Sequence, residues 1–218
     1  PKPEEVYSFM DTFYRNCGVN VGRGQHKLAS KASSLMEETR KLLLKLFHCP
    51  NKKVIFTSTA TEAINVILQG INIPEGSYVY ISPFEHNAIT RTLHHLQNTI
   101  HFQIEQLSVD NNSLVYNPNA IKAQFEKNKP YCVITSHASN VCGAVAPIED
   151  IFSLAKKYNA ITIADMCQTA GLIDTDLSSD NFDYAVFEGH KTLYGPMGIG
   201  GFIAKPTTAI VPLIYGGT

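Results

Sequence analysis

The sequence has no surplus of charge, no paired-cysteine motif and no long apolar run, and each absence narrows what the chain can be. Over 218 residues, 18 Lys and Arg face 19 Asp and Glu for a net charge of -1, and the lysines are scattered without a stripe. Nucleic acid and acidic membrane surfaces are therefore poor partners, and small molecules or proteins better ones. The five cysteines (Cys17, Cys49, Cys132, Cys142, Cys167) are odd in number and hold no CxxC pair. That argues against a disulfide framework or a zinc ribbon and for a reducing compartment, so the cytoplasm is expected. No apolar run reaches the roughly 20 residues of a membrane-spanning helix, and the opening PKPEEV does not read as a signal peptide. Repeats, low-complexity tracts and clear linkers are missing too.

What remains is a chain that is 44% hydrophobic and 17% charged, enough to bury a sizeable core. Pro3 to Arg15 carries Val6, Phe9, Met10, Phe13 and Tyr14 at helical spacing, and Ser30 to His48 shows a long apolar side. The stretch between them, Cys17 to His26, is glycine-rich and aperiodic. It reads as a loop in which Arg23 and His26 either reach a ligand or are merely solvated.

Strands and helices then alternate. Lys53 to Ser58 reads as a buried strand, and Thr59-Ala-Thr-Glu62 matches a capping box before the apolar face of Ala63, Ile64, Val66, Ile67 and Leu68. A strand feeding a helix start exposes backbone N–H groups that bind anions, phosphate above all, although Ser58 to Thr61 can equally do no more than cap their own helix. Further strands are expected at Tyr78 to Ser82, Ile100 to Leu107, Tyr131 to Ser136, Ala160 to Ala164 and Tyr184 to Phe187. Helices are expected from Asn87, over Asn119 to Lys129 and over Ile148 to Tyr158, with a turn at Asn111-Asn112. His94 and His95 lie on one helix without companion ligands, so no metal site is expected. The alternation predicts one α/β domain with a parallel sheet.

Polar residues gather just past the strand ends: Thr61, His86, Asn140, Asp165, Gln168, His190 and Lys191. Ligands of open parallel sheets bind at that rim. Burial disfavours an ammonium group, which is how a lysine becomes a nucleophile toward carbonyl groups near neutral pH. An anion-binding helix start, a carboxylate on a strand end and such a lysine suit a cofactor with a phosphate, a ring nitrogen and an aldehyde. The glycine-rich segment 195–201 lacks the GK[ST] ending of a nucleotide loop.

The stretches TSTATEAINVIL, PFEHNAI, SHASNVCGAVAPIEDIFSLAKKYNAITIADMCQTAG and EGHKTLYGPMGIGGFI resemble the successive motifs of the class V aminotransferases. These are fold-type I enzymes dependent on pyridoxal 5'-phosphate (PLP), and the similarity is greatest to the cysteine desulfurases. The resemblance implies a three-layer α/β/α sandwich with a mostly parallel sheet, the PLP-binding large domain over residues 1–218, lacking a first strand and a C-terminal small domain. It implies that Lys191 holds PLP as a Schiff base and then moves the proton at the substrate α-carbon. Asp165 would pair with the ring nitrogen, Gln168 would hydrogen-bond the ring hydroxyl with Asn140 nearby on the same edge, and His86 would stack on the ring and transfer protons. Ala60 and Thr61 would hold the phosphate with His190 beside them, and Thr218 would reach the phosphate of a neighbouring subunit, which implies a homodimer.

The implied reaction is removal of sulfur from cysteine, passed on to an acceptor protein. Aminotransferase, β-lyase or selenocysteine lyase chemistry and a non-catalytic PLP-binding fragment are the alternatives. The family's sulfur-receiving cysteine and substrate-binding arginine correspond to no residue of this chain. Two positions depart from the pattern: Glu188 stands where a phosphate-binding Ser or Thr is usual, so it is expected to turn away, be protonated or be offset; and Thr59 stands where a glycine is usual.

Overall fold

Near-continuous apolar runs make the middle of the sheet. Pro130–Ser136 (β4), Ile161–Asp165 (β5) and Tyr184–Glu188 (β6) are buried along almost their whole length, the pattern of strands covered on both faces. The computed structural model describes residues 2–21, 26–110 and 112–215. The other strands are Lys53–Thr57 (β1), Tyr78–Ile81 (β2), Gln103–Gln106 (β3) and Gly200–Ala204 (β7). Together they form one 7-stranded sheet in the order β1-β7-β6-β5-β4-β2-β3. β2 to β6 pair in parallel, whereas β7 runs antiparallel to both of its neighbours, β1 and β6. β1 therefore points the same way as the parallel set.

The helices are Glu4–Cys17 (α1), Lys27–Leu46 (α2), Ala60–Gly70 (α3), Asn87–Leu96 (α4), Pro118–Lys127 (α5) and Ile148–Lys156 (α6). Strand residues alternate between two cores, as the period of 2 requires. Tyr80, Val133 and Phe187 join Phe125 of α5 and Phe152 of α6 in one core, and Val79, Ile134 and Val186 join Ile64 and Ile67 of α3 and Leu93 of α4 in the other. Burying each of these side chains contributes about 1.5–3 kcal/mol. The result is the expected three-layer α/β/α sandwich, and no helix among the described residues is long and apolar enough to cross a membrane.

Several boundaries move for local reasons. α2 starts at Lys27 instead of Ser30, because His26 caps it: its Nδ1 accepts the Ala29 N–H at 3.4 Å. Arg23 lies outside the described residues, as does Asn111 of the expected turn, where the Asp110 carboxylate accepts from the Asn112 and Ser113 N–H groups at 3.0 and 2.7 Å. β3 begins three residues late because Asn98, Thr99 and Ile100 continue the helical winding of α4 onto His95 and Leu96. β6 runs on through Glu188, which makes that residue part of the sheet instead of the loop after it.

The register aligns the carboxyl ends. Thr57 of β1 faces Gly200 of β7, and Gly200 faces Glu188 of β6. Two rows down, Val186 pairs with Asp165 of β5, which pairs with Ser136 of β4.

Candidate active site

Each wall of the site follows from how one strand ends. β1 passes through Ser58 into α3, where the capping box forms: Thr59 Oγ1 accepts the Glu62 N–H at 3.1 Å, and the Glu62 carboxylate accepts the Ser58 N–H at 2.7 Å. Thr59 is extended, with φ -151°, so nothing in its backbone requires glycine. The close approach falls elsewhere: a Cβ on Gly200 would come within 2.6 Å of Thr59 C and 2.7 Å of Ala60 N. Only glycine lets β7 seat against the start of α3.

Glu188 neither turns away nor sits offset. Its Oε2 accepts the Ala60 N–H at 2.8 Å, its Oε1 lies 3.1 Å from His190 Nδ1, and the residue is 5% exposed. A side chain of this chain thus occupies the positive end of α3. His190 is held by that contact and is absent from the pocket wall.

At the start of α4, His86 is the N-cap. Its Nδ1 accepts the Ala88 N–H at 3.1 Å, which assigns the ring proton to Nε2 in the neutral form. Beside it, the Glu85 carboxyl accepts from Ser136 N and Ser136 Oγ, each at 2.7 Å. Desolvation pushes this acid up to about 7, further raised by the charge of Asp165 and partly offset by the Ser136 hydrogen bonds.

β4 leads into the loop carrying Asn140. That loop is pinned by Ser139 Oγ, which accepts from Val141 N and Cys142 N at 3.2 and 3.3 Å, and by the bridge between Ala138 and Val145. Asn140 stands exposed on it. Behind it, His137 Nδ1 meets Thr169 Oγ1 at 2.9 Å, and burial lowers the pKa of this imidazole.

β5 ends on Asp165, 7% exposed, whose Oδ1 accepts the Cys167 N–H at 2.9 Å. Desolvation, with the charge of Asp165 beside it, raises the pKa of the Cys167 thiol well above the ordinary value. Lys191 follows β6 in a turn closed by Gly195 N–H to Gly189 O at 2.7 Å and Tyr194 N–H to Lys191 O at 3.1 Å. Tyr194 takes a left-handed φ of 56°, a strained setting for an aromatic residue next to the lysine.

These ends converge on one pocket. His86, Asn140, Asp165, Gln168 and Lys191 line it together with Ala60, Thr61 and Glu188. Ser136 and Cys167 line it as well and were not singled out from the sequence. Glu85 was missed too, although its place directly before His86 was the available signal. Thr218 lies outside the described residues.

A mostly parallel α/β/α sheet whose carboxyl rim gathers a lysine, an aspartate and a helix start defines the class to which the comparisons lead. The profile of the family described as Aminotransferase class-V matches residues 1–218, and the chain belongs to this family of PLP-dependent enzymes. Among relatives, it is 29% identical over 221 residues to the cysteine desulfurase IscS of Dictyoglomus turgidum, covering 100% of this chain and 55% of that protein. It is 28% identical to a probable cysteine desulfurase of Pyrococcus abyssi, covering 99% of this chain and 54% of the relative. Among solved structures, the apo cysteine desulfurase of Thermococcus onnurineus NA1 superposes with a TM-score of 0.92 at 25% identity, over 99% of this chain and 54% of that one. A structure of SspA in complex with cysteine gives 0.87 at 25% identity, over 100% of this chain and 62% of that one. The chain thus spans about half the length of the curated relatives it matches.

The residues present fit the ring end of PLP: a buried carboxylate, a half-buried amine, an amide and an imidazole share one pocket. The phosphate end differs, because the Ala60 N–H there is already taken by Glu188.

Proposed function

We propose that residues 1–218 form the cofactor-binding large domain of a cysteine desulfurase-like enzyme, which removes sulfur from L-cysteine. The observation that carries the reading is the shared pocket of Lys191 and Asp165 past the ends of β6 and β5, in a chain that matches the family throughout. When bound, a PLP-type ring supplies an electron sink that stabilises negative charge at the substrate α-carbon.

The chain's own residues divide the remaining work. Lys191 Nζ would hold the aldehyde and carry the proton to and from the substrate α-carbon. Asp165 holds the ring nitrogen protonated, which a buried carboxylate does by opposite charge. Gln168 would hydrogen-bond the ring hydroxyl with Asn140 on the same edge, and His86 would cover the ring and move protons through its Nε2. Ala60 and Thr61 form the far end, with His190 behind it on Glu188, and Thr218 belongs to the same reading as a contact made in trans.

A homodimer is part of the proposal. An apolar groove of about 860 Å³ between α1, α2 and the β6–β7 connection supports it, with Tyr14, Leu42 and Leu46 exposed there. A sulfur-acceptor protein and a cytoplasmic setting complete the reading, the latter fitting five free cysteines. The test is an assay of the full-length protein for alanine and persulfide formed from L-cysteine, with Lys191→Ala as control. Turnover lost in that variant is the expected result. Turnover of selenocysteine alone, transamination, or none with any amino acid would replace the reading with one of the family's other chemistries or with a binding role.

A further inference from the structure

Glu188 is the one residue of the pocket whose chemistry opposes the group the family implies. Its carboxylate is buried, accepts the Ala60 N–H at 2.8 Å and meets His190 Nδ1 at 3.1 Å, so it uses the backbone donor and the helix end that a phosphate would need. It has little freedom to leave. Glu188 is the last residue of β6, in register with Gly200 of β7, whose backbone is itself packed against Thr59 and Ala60.

We propose that Glu188 is a specificity-determining residue: its carboxylate is a built-in substitute for the cofactor's phosphate, and the pocket selects a pyridine aldehyde with an uncharged hydroxymethyl tail over the phosphorylated one. The inference rests on the proposed function, because it presumes that Lys191 anchors such an aldehyde. The discrimination follows from donors and charge. An ionised phosphate has only acceptors to offer a carboxylate and adds like charge beside it, whereas a hydroxymethyl group donates a hydrogen bond to the same oxygens. Like charges at near-contact separation in a partly buried site repel strongly enough to shift an affinity by roughly a hundredfold.

The experiment measures dissociation constants of PLP and pyridoxal by equilibrium dialysis on the full-length protein, as wild type, Glu188→Gln and Glu188→Ser. Pyridoxal closes on itself as a hemiacetal in water, so the readout is how the ratio of the two affinities changes on substitution, in which that solution equilibrium cancels. Preference should move toward PLP by roughly a hundredfold in Glu188→Ser, where charge and bulk both go, and by about tenfold in the near-isosteric Glu188→Gln, where only charge goes. Circular dichroism checks that each variant is folded, and Glu188→Gln carries the test if the serine variant is not. A ratio that shifts by less than about threefold in a folded variant overturns the role of Glu188 while leaving the proposed function standing. If borohydride fixes neither aldehyde to Lys191 in wild type or folded variants, the proposed function fails and the inference goes with it.

Discussion

The two rims of the sheet hold buried acids in opposite states. At the amino rim, Asp183 precedes β6 and is surrounded: it accepts from Thr162 N at 2.9 Å and from Lys156 Nζ, and lies 3.3 Å from Lys205 Nζ. Every charge in that knot has a partner. At the carboxyl rim, Glu85 is met by the hydroxyl and backbone N–H of Ser136, and Asp165 by the backbone N–H of Cys167. Lys191, on the same pocket, makes no ion pair among the described residues. A closed network is worth fold stability, and an open one gathers groups whose missing partners a ligand can supply. Glu188 stands between the two cases, since it belongs to the ligand rim yet is already satisfied by the chain itself.

Substitutions on the two rims should therefore separate stability from chemistry. Asp183→Ala strands two partly buried lysines and should cost about 3 kcal/mol or more in urea unfolding, with no direct effect on ligand contacts; a loss well under about 1 kcal/mol would remove the distinction between the rims. Asp165→Asn should do the reverse. Turnover should fall by roughly a hundredfold or more, while the aldehyde stays bound and the melting midpoint barely moves; near-normal turnover would contradict its role at the ring nitrogen.

Glu85 sharpens the comparison through pH. Its pKa is raised from 4.5 to about 7, so the stability it contributes as a neutral acid is fully present below about 4.5 and is lost as pH rises through about 7. The amount is about 3 kcal/mol. Glu85→Gln should flatten that part of the stability profile, and an unchanged slope would show that the acid is ionised at little cost. Thr59→Ala should have the smallest effect, about 1 kcal/mol for a lost N-cap, read as a small drop in melting temperature.

The layers were legible because strand and helix follow from local pattern. Tyr131 to Ile134 and Tyr184 to Phe187 are unbroken apolar runs, and Thr59 to Glu62 writes its helix start into four letters. The residues past the strand ends were legible for the same reason, since a parallel sheet sends all such ends to one rim. The direction of Glu188 was not. It depends on β7 inserting antiparallel between β1 and β6, which sets Thr57, Gly200 and Glu188 in one row, and no local pattern carries that pairing. The Glu85 to Ser136 contact spans 51 positions and was hidden likewise. The His26 cap escaped because histidine is not among the preferred N-cap residues.

Reductive trapping tests the central relation most directly. The full-length protein is incubated with pyridoxal or PLP, reduced with borohydride, digested and mapped by mass spectrometry. A label concentrated on Lys191, and absent from that position in Lys191→Ala, is the expected result. A label scattered over exposed lysines such as Lys122 and Lys127, with Lys191 unmodified, would contradict it.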